Sequence, residues 1–126
     1  MGSSQPDVEV SYGVSNDFFR LWLDDRMNYT CALFKDTVNF SDRHEDAQDN
    51  KLKLLSDYAH IGPETQSVLD IGCGWGANLE YQDRVNKVPD VHGFTLSNEQ
   101  YRYCADRNLP HTTVTAQDYR KYEAPK

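Results

Sequence analysis

The feature that most constrains the fold of this chain is the alternating glycine run Asp70-Ile71-Gly72-Cys73-Gly74-Trp75-Gly76. Residues 67–71 are typical of a short buried strand, and residues 77–85 are typical of a helix. Glycines between a strand and a helix let the backbone approach a ligand closely, and the helix N-terminus offers free N–H groups. The run therefore predicts a nucleotide-type binding turn. The alternative is a turn that only permits tight packing of strand against helix.

The segments after this turn continue the alternation of strand and helix. Residues 91–94 and 112–115 read as two further strands, and Ser97-Asn98-Glu99-Gln100 is a capping box that opens a helix to about residue 107. Strand, helix, strand, helix and strand form one mononucleotide-binding half of a doubly wound fold. We therefore predict the α/β class, with a Rossmann-like, partial parallel sheet over residues 61–126. On its helices we expect Asp83, Arg84 and Arg102 to face solvent.

Residues 1–60 are expected to form an N-terminal arm and helical cap. The first ten residues show little pattern and are expected to be a loose arm. A short helix, capped by Ser15 or Asn16, is expected to place its large apolar side chains on one face; these are Phe18, Phe19, Trp22 and Leu23. Residues 27–34 read as a packed loop. The pair Asp42 and Glu45 is expected to cap a helix to about residue 60, with a buried face made of Ala47, Leu52, Leu54, Leu55 and Tyr58.

Composition excludes several classes of partner and site. A net charge of −7 over 126 residues argues against nucleic acid or an anionic membrane as the main partner. The three cysteines and four histidines show no metal-ligand spacing, so no metal is assigned. The N-terminus has no apolar region of the secretory type, and no apolar run is long enough to cross a bilayer. These features predict a reduced protein of the cytoplasm.

The glycine spacing resembles the first motif of class I S-adenosylmethionine-dependent methyltransferases. Three other segments extend the resemblance, at residues 12–24, 27–34 and 93–100. Together, in this order, the four segments resemble the cyclopropane-fatty-acid and mycolic-acid cyclopropane synthase family and the related small-molecule methyltransferases. The resemblance implies the class I methyltransferase fold, with S-adenosylmethionine as cofactor and S-adenosylhomocysteine as its product.

The resemblance implies a first group of cofactor contacts at the methionine end of the ligand. Tyr29 and Thr30 would close over that end; the family often has serine at the second position, and threonine keeps the hydroxyl. Gly72 and Gly74 would line the ligand with backbone. Asp70 lies on the strand directly before them and belongs to the same cofactor-binding motif.

A second group of contacts is implied at the nucleoside end. Thr95, Leu96 and Gln100 would meet the ribose and adenosine. Because this chain has no acid at the end of its second strand, Gln100 would take part of the role of binding the ribose hydroxyls. Gln117 and Asp118 fall where the family commonly carries a Trp-Glu pair beside the adenine, so Asp118 could accept from the adenine amino group. The absence of the tryptophan weakens the assignment at Gln117.

Cys31 is the one candidate for a catalytic role. It matches a residue that, in the cyclopropane synthases, helps to hold a bicarbonate ion acting as general base. The other groups that hold this ion, a glutamate, a histidine and a tyrosine, belong to segments that this chain does not contain. The alternative is that Cys31 is a small buried apolar residue.

The first function hypothesis is a methyltransferase that acts on a carbon or nitrogen of a lipid-like or natural-product small molecule, or a cyclopropane synthase, represented here by its N-terminal half. Three strands would leave an open sheet edge and an uncovered face, which the missing C-terminal half or a second chain would cover. The alternatives are the cofactor-binding half of a split enzyme and a non-catalytic binding remnant. A dinucleotide-binding oxidoreductase fragment is disfavoured, because the glycines alternate and no acid ends the second strand.

Overall fold

A computed structural model describes residues 4–39 and 41–123 of the chain. Its α-helices are α1 (Gln5–Tyr12), α2 (Asn16–Arg20), α3 (His44–Tyr58), α4 (Ala77–Arg84) and α5 (Asn98–Asp106). Its strands are β1 (Ser67–Ile71), β2 (Asp90–Thr95) and β3 (Thr112–Ala116), and a single 3-10 turn covers Tyr119–Lys121. Residues 1–3 of the predicted arm and residues 124–126 of the predicted α/β half lie outside the described part.

The strands form one parallel sheet in the order β1-β2-β3. Ser67 lies opposite Asp90 and Val91 lies opposite Thr112, so the carboxyl ends of β1 and β2 reach the same edge. Helices α4 and α5 are the crossovers between these parallel strands, as the alternation in the sequence predicts. The α/β class and the Rossmann-like partial sheet are therefore confirmed.

Two apolar clusters hold the elements together. Leu79 of α4 packs with Val88 and Val91 against the sheet, and all three are almost fully buried. The second cluster joins Phe19 and Met27 of the N-terminal segment to Trp75 of the glycine turn. The second cluster crosses the predicted boundary at residue 60, and the division into two domains stays a prediction.

The prediction of a loose arm over the first ten residues is wrong, because α1 occupies most of it. The backbone N–H and the hydroxyl of Ser4 both donate to the Asp7 carboxylate, at 3.0 and 2.6 Å. A proline stands in the first turn, where its missing N–H costs nothing. The sequence Ser-x-x-Asp with an internal proline was the signal for this helix, although its apolar pattern is weak.

The expected cap of α3 is also wrong. Asp42 accepts the backbone N–H groups of Lys35 and Asp36 and so closes the preceding loop, and the helix begins at His44 with Arg43 as its N-terminal flanking residue. The Asp42 carboxylate is thus engaged with the loop before α3 and not with the first turn of the helix.

The buried face of α3 differs from the prediction as well. Ala47 and Leu52 are buried as expected, but Leu54, Leu55 and Tyr58 are exposed. Gln48 and Ser56 take the inner positions, in line with Leu52 at intervals of four residues. Hydrogen bonds make this inner face possible, since Gln82 Nε2 donates to Ser56 Oγ at 3.0 Å.

Helix α2 is shorter than expected, and its apolar side chains do not share one environment. Ser15 caps it through a bond from the Phe18 backbone N–H. Phe19 is buried, whereas Phe18 and Trp22 are about half exposed. The helix ends at Arg20, after which Leu23 packs against the Phe19 cluster and the Trp22 ring centroid lies 5.8 Å from that of Phe19.

One charged residue of α4 is buried against expectation. The Asp83 carboxylate accepts from the backbone N–H of His111 at 2.8 Å and from the hydroxyl of Thr112 at 2.9 Å. It thereby joins α4 to the start of β3. Arg84 and Arg102 are solvent-exposed, as predicted.

Both outer strands are edges of the sheet, because β3 and β1 each pair with β2 alone among the described strands, and the exposed large apolar side chains lie on β1. Leu69 and Ile71 of this strand are 45% and 53% exposed. The open edge and uncovered face expected for a three-strand sheet are thus present. Within residues 4–39 and 41–123, no helix is long and apolar enough to cross a membrane.

Candidate functional site

A cavity of about 410 Å³ opens where β1 and β2 end, at the position where ligands bind in open α/β sheets. Its walls come from α1, the loop before α3, α3 itself, the glycine turn and the segment after β2. Eight of the predicted cofactor contacts line it: Tyr29, Thr30, Asp70, Gly72, Gly74, Thr95, Leu96 and Gln100. Segments far apart in sequence thus meet around one ligand-sized space.

A smaller hollow of about 280 Å³ adjoins this cavity. The two share Gly72, Thr95 and Leu96, and the smaller one is also lined by Gln117 and Asp118. The ten predicted cofactor contacts therefore fall along two adjoining concavities. Their individual roles stay predictions.

The three glycines of the turn serve two different purposes. All have positive φ, at +82° for Gly72, +57° for Gly74 and +85° for Gly76. A Cβ atom added to Gly72 or Gly74 would meet nothing within 4 Å, whereas one added to Gly76 would lie 2.9 Å from Cys104 Sγ. The first two glycines thus leave backbone open, and the third permits α5 to pack closely.

The backbone at the start of the turn is anchored on β2. The backbone N–H groups of Gly72 and Cys73 both donate to the Phe94 carbonyl, at 2.8 and 2.9 Å. These two hydrogen bonds fix the position of the turn relative to the end of β2. As a result, the open backbone at Gly72 faces the same space as Thr95.

Asp70 supplies a carboxylate at the base of the cavity. Asn78 Nδ2 of α4 donates to Asp70 Oδ2 at 3.1 Å. Burial raises the pKa of the Asp70 carboxyl, and the bond from Asn78 opposes this only in part. A ligand cation at this place would pair with a carboxylate that forms no ion pair within the described part of the chain.

Thr95 and Gln100 form a small hydrogen-bonded unit at the end of β2. The Thr95 hydroxyl donates to Gln100 Oε1 at 2.7 Å and accepts the Ser97 N–H at 3.1 Å. Ser97 in turn caps α5 by accepting the Gln100 N–H, as predicted, but the reciprocal bond of a capping box is not formed, because the Ser97 N–H donates to Thr95 instead of Gln100. With its oxygen engaged, the Gln100 amide has its N–H groups left to offer to a ligand.

Tyr29 lies in an aromatic group at the mouth of the cavity. Its ring centroid is 5.1 Å from that of Trp22, 5.6 Å from Phe19 and 5.9 Å from Tyr12, with edge-to-face geometry in each pair. The Tyr29 side chain is about half exposed. An amphipathic ring held in this way can cover a bound ligand while one edge stays in water.

Lys51, Asn28 and Asp24 are site residues that sequence reasoning missed. Lys51 and Asn28 line the cavity, and Lys51 Nζ donates to Thr30 Oγ1 at 2.8 Å. No local pattern marks Lys51, which lies in the middle of α3. Asp24 is expected from the sequence only to end the first helix, yet it is buried and bonded to Asn28.

Cys31 is exposed and does not belong to the cavity wall. It follows Thr30 directly, so a role beside the site remains a prediction, and so does the bicarbonate. Arg120 Nε donates to both carboxylate oxygens of Asp118 at 2.9 Å, and bonding to Arg120 lowers the pKa of Asp118 to about 2. Across the described residues, no group of His, Cys, Asp and Glu side chains could hold a metal ion.

A parallel sheet with an open, alternating glycine turn at the carboxyl end of its first strand defines a nucleotide-binding α/β domain of the class I methyltransferase type. Residues 2–125 match the family model described as mycolic acid cyclopropane synthetase. The chain belongs to this family.

Individual relatives agree with this assignment. The cyclopropane-fatty-acyl-phospholipid synthase of Escherichia coli K12 is 39% identical over 110 residues, which are 86% of this chain and 27% of that protein. The cyclopropane synthase MmaA2 of Mycobacterium tuberculosis superposes with a TM-score of 0.87 at 31% identity, covering 99% of this chain and 44% of that one. The mycolic acid cyclopropane synthase CmaA1, complexed with SAH and CTAB, gives a TM-score of 0.87 at 28% identity, with the same coverage. The chain thus spans less than half the length of these relatives.

Proposed function

We propose that this chain binds S-adenosylmethionine and S-adenosylhomocysteine in the 410 Å³ cavity, as the cofactor-binding part of a methyl-transferring enzyme. The observation that carries the proposal is the open backbone at Gly72 and Gly74, directly after the Asp70 carboxylate. A relative that superposes on the whole of this chain is complexed with SAH. The donor set of the cavity suits a ligand with an amino acid at one end and a nucleoside at the other.

The residues present divide along such a ligand. Asp70 offers a carboxylate to the amino group of the methionine end, beside the open glycines. Thr95 and Gln100 offer hydroxyl and amide groups to the ribose. The adjoining hollow with Gln117 and Asp118 has room for the adenine. Because Asp118 already accepts from Arg120, an adenine amino group would share its carboxylate with that guanidinium.

The bound cofactor supplies an electrophilic methyl group. The contribution of this chain is to orient that group and to shield it from water, because transfer needs the acceptor in line with the methyl. Tyr29 and its aromatic neighbours lie over the methionine end and can exclude water there. We propose that Cys31 takes part through a bound bicarbonate at the rim of the site.

A lipid-like acceptor is the substrate class that we propose. Its support is the naming of the relatives, which act on fatty-acyl phospholipids and mycolic acids. The acceptor site and its base would then lie largely on segments outside these 126 residues, in the same polypeptide or in a partner chain. The choice between carbon methylation, nitrogen methylation and cyclopropane formation belongs to those segments.

Titration calorimetry tests the cofactor assignment. The chain is titrated with S-adenosylhomocysteine, S-adenosylmethionine and NAD under the same conditions. We expect the first two to bind and NAD not to bind. A folded chain that binds neither sulfur compound would overturn the proposal, and tight binding of NAD alone would favour the dinucleotide alternative.

A further inference from the structure

Lys51 is a half-buried cation in the cavity wall to which the proposed function assigns no role. Its Nζ donates to Asn28 Oδ1 at 2.9 Å and to Thr30 Oγ1 at 2.8 Å. Both partners are neutral oxygens. An ammonium group has three N–H donors, so one donor is left after these two bonds.

No acidic side chain among the described residues forms an ion pair with Lys51. The ion pairs of α3 involve other lysine and arginine residues. Asp24 is the carboxylate whose charge acts on it, but its two oxygens accept from the backbone N–H and the amide Nδ2 of Asn28, at 2.6 and 2.7 Å. Burial lowers the pKa of Lys51, and the charge of Asp24 opposes this only in part. A half-buried cation bonded only to neutral groups is the kind of site that an anionic ligand group completes.

The charges of the cavity match one part of the proposed cofactor. Of the described residues that line it, Lys51 is the one base and Asp70 the one acid. The methionine end of the cofactor carries one carboxylate and one ammonium group. Asp70 is placed for the ammonium, beside the open glycines, which leaves Lys51 for the carboxylate.

Thr30 adds a second donor. Its oxygen accepts from Lys51, so its hydroxyl hydrogen is free to point elsewhere. One N–H of Lys51 and the O–H of Thr30 can then meet the same carboxylate. This arrangement explains why a hydroxyl residue follows Tyr29 at the mouth of the cavity.

We infer that Lys51, together with the Thr30 hydroxyl, binds the α-carboxylate of the cofactor's amino-acid end and so selects ligands that carry this group. The inference rests on the proposed function. It names the part of the cofactor cavity that distinguishes ligands with an α-carboxylate from ligands without one. Asn28 and Asp24 are positioning residues: Asp24 holds the Asn28 amide, and the amide oxygen then holds the Lys51 ammonium.

The test compares two ligands that differ in one group. S-adenosylhomocysteine and its decarboxylated analogue, S-adenosyl-3-thiopropylamine, are titrated against the wild-type chain and the Lys51→Met variant. Methionine keeps the length and helix propensity of lysine but removes its charge. The control is Lys53→Met on the same helix, because Lys53 is exposed and bonded only to Asp57.

We expect the wild-type chain to bind S-adenosylhomocysteine at least about tenfold more tightly than the analogue, since a charge-assisted bond is lost with the carboxylate. Lys51→Met should lose that preference, by weaker binding of S-adenosylhomocysteine and unchanged binding of the analogue. Lys51→Arg should restore part of the preference. Lys53→Met should behave as the wild type.

The possible failures are distinct. If the wild type binds neither ligand, the proposed function is overturned. If the wild type binds both ligands equally, or if Lys51→Met weakens both by the same factor, the carboxylate subsite is overturned and Lys51 only ties α3 to the loop at Asn28. The wild-type comparison decides the matter even if the variant does not fold.

Discussion

The indole Nε1 of Trp75 donates a hydrogen bond of 2.8 Å to the side-chain oxygen of Asn16, 59 residues earlier in the chain. The Trp75 ring is 2% exposed, and its centroid lies 4.6 Å from that of Phe19. The glycine turn is therefore fastened to α2 by both a hydrogen bond and ring packing. This link brings the loop with Tyr29 and Thr30 over the turn, where the cavity forms.

We expect Asn16→Leu to lower the free energy of unfolding by about 1–3 kcal/mol, because it leaves the buried indole N–H without an acceptor. Asn16→Asp keeps an acceptor in the first turn of α2 and should cost much less. Urea denaturation of the three proteins measures the difference. Equal losses in both variants would show that the bond to Trp75 contributes nothing specific.

Gly74→Asn should abolish binding of S-adenosylhomocysteine while leaving the chain folded. Asparagine tolerates the positive φ at this position better than other side chains, and its side chain would enter the open space that a ligand needs. Gly62→Asn is the matched control, since a Cβ there also meets nothing within 4 Å but the residue does not line the cavity. Calorimetry measures binding and thermal unfolding measures the fold. Unchanged affinity in Gly74→Asn would remove the turn from the cofactor site.

Asp70→Asn should weaken ligand binding at pH 7 without lowering the stability of the fold. Burial raises the pKa of Asp70 in the folded chain, so the protonated form is favoured there. This contribution to stability is complete below the unfolded pKa of about 3.9 and is lost as the pH rises through the folded value. At pH 7 the ionised carboxylate is therefore a cost, and the variant should be as stable as the wild type or more so.

The same Asp70→Asn variant should bind S-adenosylhomocysteine more weakly at pH 7, because the ligand ammonium loses its counter-charge. Denaturation at pH 7 and at pH 3.5 and calorimetry at pH 7 provide the measurements. The stability advantage of the variant should shrink at the lower pH. A variant that is destabilised at pH 7 yet binds normally would contradict both halves of this expectation.

Arg107→Met should lower the free energy of unfolding by about 3 kcal/mol. The Arg107 guanidinium donates to the carbonyls of Trp75 and Arg26, at 2.7 and 2.6 Å, and forms an ion pair with Glu80. Its side chain is 11% exposed, so these groups lose partners that water cannot fully replace. Arg102→Met, at an exposed ion pair of α5, should change stability by less than about 1 kcal/mol. Similar losses in the two variants would contradict the role of Arg107 as a cross-link.

Secondary structure is predicted most accurately where a single segment of the sequence contains the whole pattern. The strand before Gly72, the helix start at Ser97 and the alternation of strand and helix all follow from local pattern, and the structure confirms each. The prediction is least accurate for the buried face of α3, where the side chains of Leu54 and Leu55 are exposed. The reason is that Gln48 Nε2 donates to the Thr30 carbonyl of the preceding loop and Ser56 Oγ accepts from Gln82 of α4, and a hydrophobic pattern does not reveal such partners.

The amino-acid sequence by itself determined the α/β class, the place of the binding turn and the residue types around it, because these depend on spacing along the backbone. Only the tertiary structure decided which of these residues stay open to a ligand and which pack against other elements. It separated Gly72 and Gly74, which stay open, from Gly76, which packs against Cys104. It also brought Lys51 to Thr30, since a contact between residues 21 positions apart depends on how a helix and a loop pack and not on local pattern.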